Sequence, residues 1–123
     1  MGGGKKLVKT IGIVGSRRRN SMLDYKAVKE ALLNIYDDGD ELVSGGCPQG
    51  ADHFAEDLAK RLQIPIKIYY AQWEKLGKSA GFARNGLIAR DADVLIACVA
   101  HDRTGGTEDT IRKFKNERKL ILI

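Results

Sequence analysis

Apolar residues along this chain follow two alternating spacings, and the alternation predicts five strands and four helices. Short runs rich in β-branched residues predict strands at 7–15, 41–44, 64–70, 94–100 and 120–123. Apolar residues at helical spacing predict a helix capped by Asp24 and further helices at 51–62, 82–91 and 108–117. The run VLIACVA at 94–100 is almost continuously apolar, which is typical of a strand buried on both faces of a parallel sheet.

Regular alternation of strands and helices predicts an α/β protein with a parallel sheet and right-handed crossovers. We expect a Rossmann-like three-layer fold with a five-stranded parallel sheet in the order 3-2-1-4-5. Ligands of such folds bind at the carboxyl ends of the strands, at the switch point between strands one and four. Residues 7–123 are expected to form a single domain, residues 1–6 a disordered or cloning-derived tail, and residues 71–81 an irregular segment.

Three loops that follow predicted strands carry glycine together with hydroxyl or arginine side chains, and all three should open on one edge of the sheet. Glycine lets a ligand approach the backbone, and a helix N-terminus offers unpaired N–H groups with a partial positive charge, so the combination favours a phosphate. Arg17 adds a fork of donors suited to a phosphate. The alternative is that these are tight strand-to-helix turns that bind nothing. The candidate ligand-binding residues in these loops are Gly15, Ser16, Arg17, Ser44, Gly45, Gly46, Gly50, Asp52, Thr104, Gly105, Gly106 and Thr107.

Four further candidate ligand-binding residues lie between the third and fourth strands: Trp73, Lys78, Arg84 and Asn85. Arg84 could reach the same crevice as a second positive charge, or it could be a solvated arginine paired with a nearby acid. Trp73 could stack on a base, or it could belong to the core.

Composition limits the class of protein but does not identify the ligand. The chain has 123 residues, 43% of them apolar and 30% charged, which is typical of a soluble globular domain. A net charge of +5 is compatible with an anionic ligand, with nucleic acid, or with ordinary surface charge. No apolar run approaches the ~20 residues of a membrane helix, so we expect no membrane association.

The two cysteines, Cys47 and Cys98, should be too far apart in the predicted sheet for a disulfide, and free thiols favour the cytoplasm. There is no CxxC motif or Cys/His cluster, so we expect no metal site and no cofactor. Three enzyme signatures are also missing: the glycine pattern of dinucleotide-binding folds, a complete P-loop, and the G-x-S-x-G elbow of hydrolases.

Together the motifs resemble the SLOG superfamily, most closely its small YspA/YpsA-like members. The resemblance covers about Ile11 to Ile123 and implies a Rossmann-like domain that binds a nucleotide or nucleotide-derived ligand. It rests on Gly15-Ser16-Arg17, Ser44-Gly45-Gly46, Gly50-Ala51-Asp52, Trp73, Gly77-Lys78, Ala80-Gly81, Arg84-Asn85 and Gly106-Thr107.

Relatives implied by this resemblance include LOG proteins, which cleave nucleoside monophosphates to base and ribose phosphate, and DprA, which binds single-stranded DNA. LOG enzymes carry P-G-G-x-G-T-x-x-E with a catalytic glutamate and an arginine upstream, which Arg84 matches. Here the proline is absent, and Glu108 and Asp109 follow Thr107 at once, out of register with that glutamate.

The resemblance leaves three hypotheses. The leading one is binding or sensing of a nucleotide or ADP-ribose-like small molecule, with Arg17 and Arg84 neutralising phosphates and Asp52 or Thr107 contacting ribose. The second is an N-glycosidic phosphoribohydrolase in which Arg84, Glu108 and Asp109 are catalytic. DNA binding of the DprA kind is third, because aromatic residues are not interleaved with the basic ones. Relatives commonly dimerise, so a homodimer is a possible state.

Overall fold

A single parallel sheet of five strands forms the centre of the protein, in the predicted order β3-β2-β1-β4-β5. The computed structural model describes residues 8–115 and 119–123, without the side chain of Lys78. The strands are β1 (Thr10–Gly15), β2 (Glu41–Gly45), β3 (Ile66–Tyr69), β4 (Val94–Cys98) and β5 (Leu120–Leu122). The predicted fold class, a Rossmann-like three-layer α/β fold, is confirmed.

Helices cover both faces of this sheet. They are α1 (Met22–Ile35), α2 (Ala51–Leu62), α3 (Trp73–Leu76), α4 (Ala80–Asp91) and α5 (Gly106–Lys113), with a 3-10 turn at Gly77–Ser79. Among the described residues, none of these helices has the length and apolar character needed to cross a bilayer.

Successive residues of β1 supply two separate cores because side chains alternate across a strand. Ile11 and Ile13 are fully buried on one face, in the cluster formed with α1 and α2. Val14 points to the other face and joins the cluster around Ile88 of α4. Gly12 also belongs to this second side, where an added Cβ would come within 2.9 Å of Ala92 and Leu95. The missing side chain therefore allows α4 to pack closely on the sheet.

The predicted cap of the first helix was wrong by three residues. Ser21 is the N-cap, and its hydroxyl accepts a hydrogen bond from Asp24 N–H at 3.1 Å. Asp24 occupies the third helical position, where its carboxylate accepts from Ser21 N–H at 3.1 Å. The two residues form a reciprocal capping box, in which either side chain satisfies a backbone donor of the other.

The prediction of an irregular segment at 71–81 was also wrong. This segment contains α3, the 3-10 turn and the first two residues of α4. Four residues are too few to show helical periodicity, and Gly77 has φ +57°, which separates the two short turns. The last helix spans Gly106–Lys113 instead of 108–117, and β1 begins at Thr10. The predicted tail at 1–6, Leu7, and residues 116–117 of the predicted last helix lie outside the described residues.

Candidate functional site

A cavity of about 410 Å³ opens at the carboxyl edge of the sheet, at the switch point between β1 and β4. The loops after β1, β2 and β4 surround it, together with one face of α4. Its lining consists of Val14, Gly15, Ser16, Arg17, Arg18, Cys47, Asp52, Arg84, Asn85, Ile88, Thr104, Gly105, Gly106, Thr107 and Thr110.

The loop after β1 packs tightly against its surroundings. A Cβ at Gly15 would lie 2.7 Å from the Ala51 Cβ and 2.9 Å from the Cys98 Cβ, so only glycine fits there. Ser16 N–H donates to the Cys98 carbonyl oxygen at 2.9 Å, which continues the pairing of β1 with β4 into the loop. The floor of the cavity is therefore held by this packing and by the pairing with β4.

The loop after β2 is joined to this first loop through Gly50. Gly50 has φ +76°, and a Cβ there would lie 2.6 Å from the Ser16 carbonyl oxygen. Its N–H donates to Asn20 Oδ1 at 2.8 Å. Glycine at position 50 thus allows the backbone of the loop after β2 to lie close to the backbone of the loop after β1. Gly50 does not itself line the cavity.

The N-terminus of α5 forms another wall. Gly105 is its N-cap, with φ +109° and ψ −175°, a conformation that strongly favours glycine. No side chain caps this helix, and Gly105, Gly106 and Thr107 all line the cavity. Helix N-termini carry unpaired N–H groups and a partial positive charge, so this wall suits an anion.

Three arginines line the cavity, but they differ in how far other residues pair with them. Arg18 makes a bidentate pair with Asp102 at 2.8 and 3.0 Å and also donates to Thr104. This pair ties the loop after β1 to the loop after β4 and holds the pKa of Asp102 well below its usual range. Among the described residues, Arg17 has no hydrogen-bond or carboxylate partner, and Arg84 donates only to Asn85 Oδ1, at 3.0 Å. Arg17 therefore brings a charge without a carboxylate partner in the described chain, and Arg84 brings a charge that only the nearby Asp52 carboxylate offsets, without a direct ion pair.

Asp52 is the carboxylate that lines the cavity, and it is only 7% exposed. One oxygen lies 3.1 Å from Ser44 Oγ, and the other accepts from Cys47 N–H at 3.2 Å. Burial raises the pKa of Asp52 above its ordinary value, while the Cys47 N–H, the charge of Arg84 and the Ser44 hydroxyl act in the opposite direction.

Gly45 explains how Asp52 and Arg84 come to share one place. A Cβ at Gly45 would lie 2.6 Å from both Arg84 Nη1 and Asp52 Oδ2. The guanidinium and the carboxylate thus both face the space above Gly45, yet the described contacts contain no direct ion pair between them.

The two acids considered as catalytic groups are engaged elsewhere. Glu108 forms a bidentate pair with Arg103 at 2.8 and 2.9 Å. Asp109 is buried, and its Oδ2 accepts from Asn85 Nδ2 at 3.2 Å and from Lys113 Nζ at 2.8 Å. Neither acid lines the cavity. Asn85 also donates to the Gly106 carbonyl oxygen at 3.2 Å, so it fixes the start of α5 against α4.

The structure gathers most of the sequence-predicted site residues around the cavity. Predicted residues in its lining are Gly15, Ser16, Arg17, Asp52, Arg84, Asn85, Thr104, Gly105, Gly106 and Thr107. Predicted residues outside the lining are Ser44, Gly45, Gly46, Gly50, Trp73, Glu108 and Asp109. The Lys78 side chain lies outside the described part of the chain.

Two of the predicted residues outside the lining, Trp73 and Gly46, pack against neighbouring residues away from the cavity. Trp73 is 55% exposed and belongs neither to the cavity nor to the core; its ring lies against Gly81. Gly46 is covered by the Tyr70 ring, which a Cβ there would meet at 2.1 Å.

Sequence reasoning missed five lining residues, namely Val14, Arg18, Cys47, Ile88 and Thr110. Arg18 and Cys47 stand in the same loops as the residues that were singled out, so loop membership was the available signal. Ile88 was recognised only as an apolar anchor of α4.

Comparison with known proteins gives a fold relationship. No protein-family model matches the chain, and no curated protein matches it either. A similar solved structure is that of the molybdenum cofactor binding protein from the phototrophic bacterium Rippkaea orientalis, with a TM-score of 0.71 and 22% sequence identity. The match covers 96% of this chain and 77% of that chain. At this level of identity the similarity shows a shared fold.

Proposed function

We propose that this domain binds a nucleotide or a nucleotide-derived ligand, such as an ADP-ribose-like molecule, in the switch-point cavity. One observation carries the proposal: Arg17 and Arg84, which form no direct ion pair with a carboxylate in the described chain, line the same cavity as the uncapped N-terminus of α5. Arg17 is exposed and Arg84 is partly buried, so both guanidinium groups are available to a phosphate, which they would bind through charge-assisted hydrogen bonds.

The ligand's phosphate lies at the first turn of α5, where Gly105 and Gly106 leave the backbone open to it. Arg17 and Arg84 neutralise its charge from the other walls. Asp52 or Thr107 contacts the ribose. The SLOG resemblance supports a ligand of this class.

A thermal-shift screen tests the proposal with AMP, ADP-ribose, NAD and cyclic AMP. A ligand present at 100 times its dissociation constant should add about 2.7 kcal/mol to the free energy of unfolding. The Arg17→Ala/Arg84→Ala double variant is the matched control and should lose the shift. Absence of a shift with every compound would contradict the proposal.

We expect binding without appreciable hydrolysis. Phosphate binding alone lowers no barrier unless the transition state is held more tightly than the substrate. The two acids that the resemblance offers as catalytic groups are engaged elsewhere, because Glu108 pairs with Arg103, and Asp109 is held by Asn85 and Lys113. We assign Asp52, the acid that lines the cavity, to ligand binding. Chromatography of AMP incubated with the protein should detect no steady release of free adenine. Release that disappears in Glu108→Ala or Asp109→Ala, with binding retained, would establish the hydrolase instead.

A molybdenum cofactor is a second candidate ligand, because the structure with the similar fold is described as a molybdenum cofactor binding protein. The cofactor is a phosphate-bearing pterin, and the cavity offers basic groups for the phosphate and Asp52 for a ring edge. Adding the cofactor to the thermal-shift screen decides between the two ligands.

Nucleic acid fits the cavity less well than either small ligand. None of the residues found to line the cavity is aromatic, so a surface on which bases could stack is missing.

A further inference from the structure

The cavity holds one group that a phosphate site does not need. Asp52 is a carboxylate in a wall that otherwise carries Arg17, Arg18, Arg84 and the positive end of α5. A buried carboxylate is costly to desolvate, and a negative charge here opposes the binding of a simple anion.

Local structure uses only part of the hydrogen-bonding capacity of Asp52. An ionised carboxylate can accept about four hydrogen bonds. Ser44 Oγ and Cys47 N–H account for one contact at each oxygen. Arg84 lies beside the carboxylate without forming a direct ion pair with it, so acceptor capacity remains on the cavity side.

We infer that Asp52 is the specificity-determining residue of this cavity: it accepts hydrogen bonds from a donor edge of the ligand and disfavours anions that lack one. The donor edge is a sugar hydroxyl pair or an N–H edge of the base. This inference rests on the proposed function, in which the arginines and α5 hold the phosphate. The cavity is thereby divided into an anion-binding side and an acceptor side.

The alternative role for Asp52 is purely structural, namely holding the Cys47–Gly50 turn through the Cys47 N–H. Asparagine preserves the shape and one acceptor oxygen for that bond, but it replaces the second acceptor with a donor. The variant Asp52→Asn therefore separates the two roles.

The experiment measures dissociation constants by isothermal titration calorimetry at pH 8 for AMP, ADP-ribose and inorganic pyrophosphate. Hydrogen bonds to charged groups are stronger than those between neutral groups. Asp52→Asn should therefore raise the dissociation constants of AMP and ADP-ribose about tenfold or more. Pyrophosphate, which has neither sugar hydroxyls nor a base, should bind Asp52→Asn more tightly than wild type. Asp57→Asn, on the same helix but outside the cavity, makes the same charge change. It should alter neither the affinity for the nucleotides nor the affinity for pyrophosphate.

Opposite changes for the nucleotides and pyrophosphate support the inference. Equal weakening of all three, or tighter binding of all three, would overturn it and leave the proposed function standing. Failure of wild type to bind AMP and ADP-ribose would overturn the proposed function and the inference with it. Thermal melting checks that the variants fold. If Asp52→Asn does not fold, Asp52→Ser, which also removes the charge, is measured in its place with the same expected changes.

A comparison of AMP with 2′,3′-dideoxy-AMP identifies the donor. If Asp52 binds the sugar hydroxyls, wild type should discriminate between the two, and Asp52→Asn should not. If it binds the base, Asp52→Asn should weaken both equally.

Discussion

The two edges of the sheet treat charge in opposite ways. At the amino edge, Asp40 is fully buried and accepts from Lys9 N–H at 2.9 Å, from Lys9 Nζ at 2.6 Å and from Asp37 N–H at 2.9 Å. Asp93 accepts from Thr10 N–H at 2.8 Å at the start of β1. At the carboxyl edge, Arg17 and Arg84 lack such carboxylate partners in the described chain, and the buried Asp52 has no direct ion pair.

This difference separates groups that stabilise the fold from groups that we propose bind a ligand. A buried charge contributes to stability only when hydrogen bonds and a counter-charge offset its desolvation. Asp40 meets that condition, and its pKa lies below the ordinary value because the bonds from Lys9 and Asp37 outweigh the effect of burial. Substitutions at the amino edge should therefore change stability, and those at the carboxyl edge should change binding.

The largest expected effect is on stability, at Asp40. Asp40→Ala leaves Lys9 without its buried partner and two backbone N–H groups without an acceptor, so the free energy of unfolding should fall by about 3 kcal/mol. Urea denaturation measures the change, and the affinity for AMP at a temperature where the variant is folded should stay the same. A loss smaller than that of the exposed Asp38→Ala control would refute the contrast between the edges.

Arg84→Ala should weaken ligand binding and leave the stability of the free protein nearly unchanged, which is the reverse of Asp40→Ala. Loss of a charge-assisted hydrogen bond to phosphate should weaken AMP binding by about 1.5–3 kcal/mol, and Arg17→Ala should act similarly. The melting temperature of the free protein should hardly change. Arg90→Ala, on the same helix and 64% exposed, is the control and should leave binding unchanged. Unchanged affinity in both Arg17→Ala and Arg84→Ala would place the ligand elsewhere.

Two glycine substitutions sharpen the comparison at a smaller scale. Gly105→Ala forces a side chain into a conformation that favours glycine and should lower stability by about 1 kcal/mol while weakening phosphate binding at α5. Gly86→Ala lies within α4, where the nearest atom is 3.9 Å from an added Cβ, and should raise stability by about 0.5 kcal/mol. Urea denaturation of both variants checks the signs, and stabilisation by Gly105→Ala would show that the helix start adapts.

The smallest expected effect is on how the stability of the protein changes with pH. Asp40 has a pKa below its unfolded value of about 3.9, so its stabilisation is present at neutral pH and is lost as the pH falls below about 4. Asp52 has a raised pKa, so its protonation in acid favours the folded state. Between pH 7 and pH 3.5, Asp40→Asn should lose less stability than wild type and Asp52→Asn should lose more. Equal slopes for the two variants would contradict this assignment.

Sequence patterns predicted elements better than they predicted side-chain directions. Helix α2 was predicted with its observed bounds, because Gly50 and regular apolar spacing mark its start and course. The strand order followed from alternation alone. Short turns such as α3 were missed because four residues show no period.

Within the loops, the sequence predicted the correct edge of the sheet but did not distinguish the residues that line the cavity from their neighbours that do not. Gly46 packs under Tyr70, and Trp73, in the short helix α3, lies outside the cavity, since these placements depend on tertiary contacts that no periodicity records. Arg18 was missed because its bond to Asp102 joins residues 84 positions apart.

The pairing of β1 with β4 has a consequence for how the protein acquires its site during folding. Thr10 and Asp93 meet although 83 positions separate them, and contacts between distant residues form slowly. Loops from both sides of this pairing line the cavity, so a partly folded chain that lacks it has no site. A ligand bound there, as we propose, should therefore slow unfolding and leave the rate of folding unchanged.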